Sequence, residues 1–148
     1  MSIIIGISVG FHDAAICLLN GDEVIHASHS ERYSRKKGDK WLHPQQKKFL
    51  SSNSEAVAFY EKPFRKNLRR LFAGQKWQSP TTSYTVSFPH HKSHAAAGYY
   101  TAPFDDCNIL VIDAIGEWDT ISIWNGSVRN NIEKVGKSYL GQKTYHLK

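Results

Sequence analysis

Cysteine is scarce: the chain of 148 residues has two, Cys17 and Cys107. Each falls inside an apolar, strand-like run rather than in a paired or metal-binding spacing, which excludes a disulfide framework and a thiolate metal site and leaves reduced core thiols. Long apolar runs are missing too. No stretch approaches the roughly 18 consecutive apolar residues of a membrane span, and the opening run Ser2 to Val9 has neither a basic segment before it nor a small-residue cleavage site after it. The expectation is therefore a run that is not a signal peptide, in a cytoplasmic protein. Acidic residues are in deficit, 13 against 19 Lys and Arg, for a formal net charge of +6. The excess lies in Arg32 to Lys40 and in Arg65 to Arg70. Such runs are usually solvated faces, but a basic balance also suits a protein that handles phosphorylated or adenylated compounds. The second run has no aromatic interleaving on its polar face, which argues against a nucleic-acid surface. Apolar residues, by contrast, are not lacking. At 41% of the chain, with four Trp, seven Tyr and seven Phe, they suffice for the core of one domain.

The apolar pattern predicts strands over Ile3 to Val9, Ala14 to Leu19 and Glu23 to Ala27, the latter two joined at Asn20-Gly21, a strong hairpin signal. A polar and basic stretch from Glu31 to Asn53 has room for a short helix after Pro44, and Ala56 to Tyr60 reads as a short strand. Pro63 opens a helix with Phe64, Leu68, Leu71 and Phe72 on one face, stopped by Gly74. Tyr84 to Phe88 is a further strand, and the alanine-rich segment His91 to Tyr100 is a helix that ends before Pro103. Strands are then expected at Asn108 to Ile112, Thr120 to Trp124 and Val128 to Glu133, with a turn at Asn125-Gly126.

Ile4 to Asp13 and Leu110 to Asp119 echo each other: strand, small glycine-bearing loop, strand. A three-strand antiparallel start, crossover helices and a second copy of the opening unit resemble the layout of the actin, sugar-kinase and heat-shock ATPase superfamily. There, glycine-bearing hairpin loops approach nucleotide phosphates because no side chain is in the way. The resemblance implies an α/β fold, an actin-like, ribonuclease H-like lobe with a mixed sheet. A first lobe is expected over 1–105 and a second, only begun, over 106–148. Kinases of this superfamily carry an Asp where this chain has Ser8, which argues against ordinary phosphoryl transfer from ATP.

Four segments could carry chemistry. His90 and His94, four apart at the start of a helix, present their rings on one face and can grip one metal ion, while His91 points elsewhere. A capping and packing role is the plain alternative. Asp113, at the end of a predicted strand and before a glycine-containing loop, is a third ligand; two His and one carboxylate leave positions open on iron(II), zinc or manganese alike. In the first hairpin loop, Gly10, His12 and Asp13 could sit beside a phosphate or acyl group, or Asp13 could simply serve the turn. Arg32 and Lys36 could hold an acyl phosphate or an adenylate phosphate, or face solvent. Gly116 and Glu117 could close over a ligand, or form a turn before a core Trp118.

These segments together resemble the O-carbamoyltransferases of the nodulation-protein, cephamycin and tobramycin type. Matching stretches are Ile5 to Ala15, Ser30 to Lys37, Phe59 to Pro63, His90 to Tyr100 and Val111 to Thr120, in the family's order. The resemblance implies that ATP and carbamoyl phosphate give carbamoyl adenylate in a separate C-terminal domain, and that the actin-like domain passes the carbamoyl group to a substrate hydroxyl. It implies His90, His94 and Asp113 as iron ligands and His12 as the residue that contacts the carbamoyl group. The region Gly38 to Asn53 is shorter than usual in the family, and Gln142 to Lys148 is polar where the family continues with an apolar helix. A further metal ligand, the adenosine-binding part and the adenylating domain are not in this sequence. The expectation is therefore a component that needs a companion polypeptide or a second copy of itself. An inactive remnant or interaction module and a small metal-dependent hydrolase are the alternatives.

Overall fold

The computed structural model describes residues 2–51, 53–77 and 83–139. The polar tail Gln142 to Lys148 and the end of the expected second lobe lie outside the described residues. The chain is mixed α/β and divides into two compact units, Met1–Pro63 with Gln78–Phe88, and Phe64–Trp77 with Pro89–Lys148.

The first unit is built on a five-stranded sheet in the order β3-β2-β1-β4-β5. Its strands are β1 (Ile3–Ser8), β2 (Ala15–Asn20), β3 (Glu23–His29), β4 (Ala56–Phe59) and β5 (Val86–Ser87). The first three form an antiparallel meander, whereas β4 runs parallel to β1 and β5 parallel to β4, so the sheet is mixed. Asn20 pairs with Glu23 across Gly21-Asp22, and Gly21 takes the positive φ of 64° that a two-residue hairpin needs. Alternation decides which side chains go inside: Ile5, Ile7, Ile16 and Leu18 pack with Val9, Ala14, Leu42 and Phe59 in one core. Full burial of a residue such as Ile5 contributes about 1.5–3 kcal/mol.

The helix expected after Pro44 is α2 (Pro44–Lys47), with His43 as N-cap and Gln46 completing a capping box. Gln46 is fully buried and meets the Ser30 hydroxyl at 2.5 Å and the Ser28 carbonyl at 3.0 Å, so a polar network holds this segment to the end of β3. A one-turn helix, α1 (Glu31–Ser34), precedes it at the start of the polar and basic stretch, and Arg35 ends it at φ 57°.

In the second unit, α3 (Pro63–Phe72) stops as expected. Gln75 N–H bonds the Arg70 carbonyl, Gly74 N–H bonds the Leu71 carbonyl, and Gly74 sits at φ 71°, the pattern of a Schellman stop. Its apolar residues Phe64, Leu71 and Phe72 remain exposed, and Asn67 is the helix's buried residue. The second sheet, β6 (Asp106–Gly116), β7 (Asp119–Ser127) and β8 (Asn131–Tyr139), is another antiparallel meander. Against it lies α4 (His90–Tyr100), which buries His91, Ala95 and Tyr99 at a spacing of four on Val111, Trp124 and Ile132.

One expectation is overturned here. Asn125-Gly126 is not a turn: β7 passes straight through it, with Gly126 paired to Cys107 on one side and Ile132 on the other. The turn comes later, where Ser127 pairs with Asn131 and Asn131 takes φ 59°. Gly126 is glycine for space, since a Cβ there would lie 2.5 Å from the Tyr99 ring. Among the described residues, no helix is long and apolar enough to cross a membrane.

Candidate metal centre

The first turn of α4 and the end of β6 bring together His90, His94 and Asp113, whose ligand atoms all lie within 4.8 Å of one another. Helical spacing puts the two imidazoles on one face, with ring centroids 4.7 Å apart and the two Nε2 atoms 3.0 Å apart. Asp113 Oδ2 lies 2.8 Å from His90 Nε2, while its Oδ1 accepts the Ala114 N–H at 2.7 Å and so fixes the carboxylate.

Burial pushes the His90 imidazolium down from 6.5 to about 4, the neighbouring His94 adds to the shift, and Asp113 only partly opposes it. His90 is therefore neutral near pH 7, and its Nε2 carries either one hydrogen or one lone pair. A hydrogen suits Asp113 but must be shared with His94, and a lone pair suits an N–H from His94 but faces the carboxylate. Together the three side chains could hold one cation. Two His and a carboxylate on one face leave other coordination positions open.

His91 points the opposite way, into the core. It is 2% exposed, and its Nδ1 lies 2.6 Å from the Ser122 hydroxyl oxygen on β7. The same oxygen accepts the Trp124 Nε1–H at 2.8 Å, so one buried hydroxyl ties His91 and Trp124 together. Burial lowers the His91 pKa.

Gly116 and Glu117 form the tight β6–β7 connection. Gly116 pairs with Asp119, and Glu117 takes a positive φ of 57° at the turn. The Glu117 side chain is 7% exposed and turns back onto α4, where its Oε1 accepts the His90 backbone N–H at 3.2 Å. Arg65 of α3 stands 3.8 Å from its Oε2. Neither Ser122 nor Arg65 was marked by the sequence; an inward-facing Ser between Ile121 and Ile123 carries no motif.

The other expected residues lie in the first unit. His12 and Asp13 are exposed in the β1–β2 loop, with His12 Nδ1 2.6 Å from Asp13 Oδ2 and Asp13 at φ 49°. The basic segment is tied to this loop by its backbone: Gly10 N–H bonds the Lys40 carbonyl at 2.8 Å and Ala14 N–H the Asp39 carbonyl at 2.7 Å. The Gly10 N–H thus points at Lys40. A Ser34 side-chain hydrogen bond and the Trp41 N–H hold the Asp39 carboxyl below its ordinary pKa. Arg32 on α1 and Lys36 after it are exposed.

Residues 42–141 match the family described as "Carbamoyltransferase N-terminus". An uncharacterized protein of the cyanobacterium Synechocystis sp., sll1178, is 27% identical over 169 aligned positions, which cover 85% of this chain and 28% of the relative. The chain thus spans less than a third of the length of this curated relative.

Proposed function

The chain belongs to the carbamoyltransferase N-terminal family, and from that premise we propose that it is the N-terminal, carbamoyl-transferring part of an O-carbamoyltransferase. In this reading carbamoyl adenylate, made from carbamoyl phosphate and ATP, is the donor and a small-molecule hydroxyl the acceptor. The convergence of His90, His94 and Asp113 carries the proposal. A divalent ion on that triad, iron(II) in this reading, would supply Lewis acidity toward the carbamoyl carbonyl. The strand order β3-β2-β1-β4-β5, with only β2 running against the rest, supports an actin-like, ribonuclease H-like lobe.

The chain's own residues supply the remaining tasks. The Asp13 carboxylate, 2.6 Å from His12 Nδ1, orients the ring, and in this reading Nε2 is the proton acceptor. That atom takes the proton of the acceptor hydroxyl as its oxygen forms the new bond to the carbamoyl carbon. The anhydride C–O bond breaks and AMP departs with the bonding pair. Arg32 and Lys36, both exposed, are the candidates for holding the phosphate. A companion polypeptide carrying the rest of the family's length, or a second copy of this chain, completes the enzyme in a cytoplasmic setting.

The test is reconstitution. The chain is mixed with the remaining polypeptide of a family member, carbamoyl phosphate, ATP, Fe(II) and a panel of hydroxyl acceptors, and carbamoylated product is followed by mass spectrometry. Product formation that disappears in His94→Ala is expected. A mixture that binds no metal and forms no product would overturn the proposal. Metal-dependent ester or amide hydrolysis by the chain alone would favour a small hydrolase instead.

A further inference from the structure

We infer that Glu117 is a positioning residue for the His90, His94 and Asp113 centre, holding the histidine-bearing helix at a set distance from the aspartate-bearing strand. The inference rests on the metal-binding reading given above.

The start of α4 lacks a cap of its own. Its N-cap is Pro89, which offers no side-chain hydrogen bond, so the first N–H groups of the helix need acceptors from elsewhere. Glu117 provides one from another element, with its Oε1 3.2 Å from the His90 N–H. An acceptor at this point does more than finish a helix, because the N–H it holds belongs to a residue whose ring is one of the donors. The same Glu117 follows Asp113 by four residues, at the tip of the hairpin whose first strand carries that aspartate. One buried carboxylate therefore links the backbone of one donor to the hairpin of another.

Three further observations support a built arrangement. Glu117 is a carboxylate only 7% exposed, a costly placement unless it is hydrogen-bonded or paired. Arg65 reaches its other oxygen from α3, so a third element is tied to the same group. Finally, Glu117 holds a positive φ of 57°, a conformation a residue with a side chain rarely adopts, and this backbone turn sets the carboxylate beneath α4. His91 on Ser122 fixes the rotation of the helix on β7, and Glu117 fixes its end.

The experiment uses the full chain and Co(II) as probe, titrated anaerobically and followed by the visible d–d absorption and by calorimetry. Groups that orient metal ligands from outside the coordination sphere typically affect affinity by about 10–100-fold. Glu117→Ala is expected to bind Co(II) at least tenfold more weakly, with an altered absorption band. Glu117→Gln keeps an oxygen for the His90 N–H and is expected to stay within about threefold of wild type. Arg65→Ala, which leaves that oxygen in place, should resemble Gln rather than Ala. A folded Glu117→Ala chain that binds Co(II) with wild-type affinity and spectrum would overturn the inference, and so would a Gln variant as weak as Ala. His90→Ala and Asp113→Ala serve as references: if they too bind as wild type, the metal-binding reading fails, whereas if they lose Co(II) and Glu117→Ala does not, only the positioning role fails.

Discussion

The two units each contain a three-stranded antiparallel meander, β1-β2-β3 and β6-β7-β8, and the first hairpins of the two are put to opposite uses. In the first, six residues from Val9 to Ala14 separate the paired ends of β1 and β2, and the loop shows His12 and Asp13 to solvent. In the second, Gly116 and Asp119 pair across two residues, and the acidic one, Glu117, is buried under α4. Loop length accounts for the difference. The longer loop can lift side chains away from its sheet while its backbone is braced at Gly10 and Ala14 by the carbonyls of Lys40 and Asp39. The two-residue turn has no such freedom, and its side chain falls back on the nearest helix end. One hairpin turns its acidic side chain toward solvent; the other buries its own against a helix end.

Separating the two roles gives the largest expected effect. Alanine at His12 should slow carbamoyl transfer in the reconstituted system about 10²–10⁴-fold, the usual contribution of a positioned proton acceptor, and leave Fe(II) affinity unchanged. A parallel loss of metal affinity would break the distinction between the hairpins.

The second contrast is with pH. In the unfolded chain His90 protonates near its ordinary 6.5, and in the folded chain only near 4. The metal-free protein is therefore fully stable above about pH 6.5, loses stability as pH falls toward 4, and levels off below that. Burial-lowered His91 acts in the same direction. The loss amounts to at most about 3 kcal/mol for His90. Hydrogen exchange at pH 7 and pH 4.5 should show amides of α4 losing protection well ahead of those in the β1–β4 core. Equal loss in both units would count against the burial of His90 as its cause.

Smaller effects come from two glycines that do different work. Gly126→Ala should destabilise the second unit by roughly 1–3 kcal/mol, because the added methyl group meets the Tyr99 ring. Gly21→Ala, with open space around it but φ at 64°, should cost about 1 kcal/mol through backbone strain alone. Thermal or urea unfolding measures both. Adding Tyr99→Ala should relieve Gly126→Ala and leave Gly21→Ala as it was.

Those glycines also show why part of the fold was legible in the sequence and part was not. Asn20-Gly21 and Asn125-Gly126 are the same dipeptide, and a glycine kept for its φ looks identical in sequence to one kept for space. Only the tertiary approach of Tyr99 separates them. Patterns carried by local geometry were legible: the alternation that builds β1 and β2, the Gly74 stop, the shared face of His90 and His94, and the exclusion of His91 from that face. Asp113 was expected just past a strand ending at Ile112, whereas β6 runs on to Gly116 and includes it. The cap on α4 was not, since nothing between Pro89 and His91 names its acceptor 27 residues later. The exposed face of α3 marks a similar limit, because periodicity identifies an apolar stripe and leaves open what, if anything, covers it.

The central claim is that unit two gathers one divalent metal site from His90, His94 and Asp113. Anaerobic titration of the chain with Fe(II), compared with the His94→Ala and Asp113→Ala variants, tests it most directly. One equivalent bound per wild-type chain, weakened at least 100-fold in each variant, is the expected result. Wild-type stoichiometry and affinity in either folded variant would contradict it.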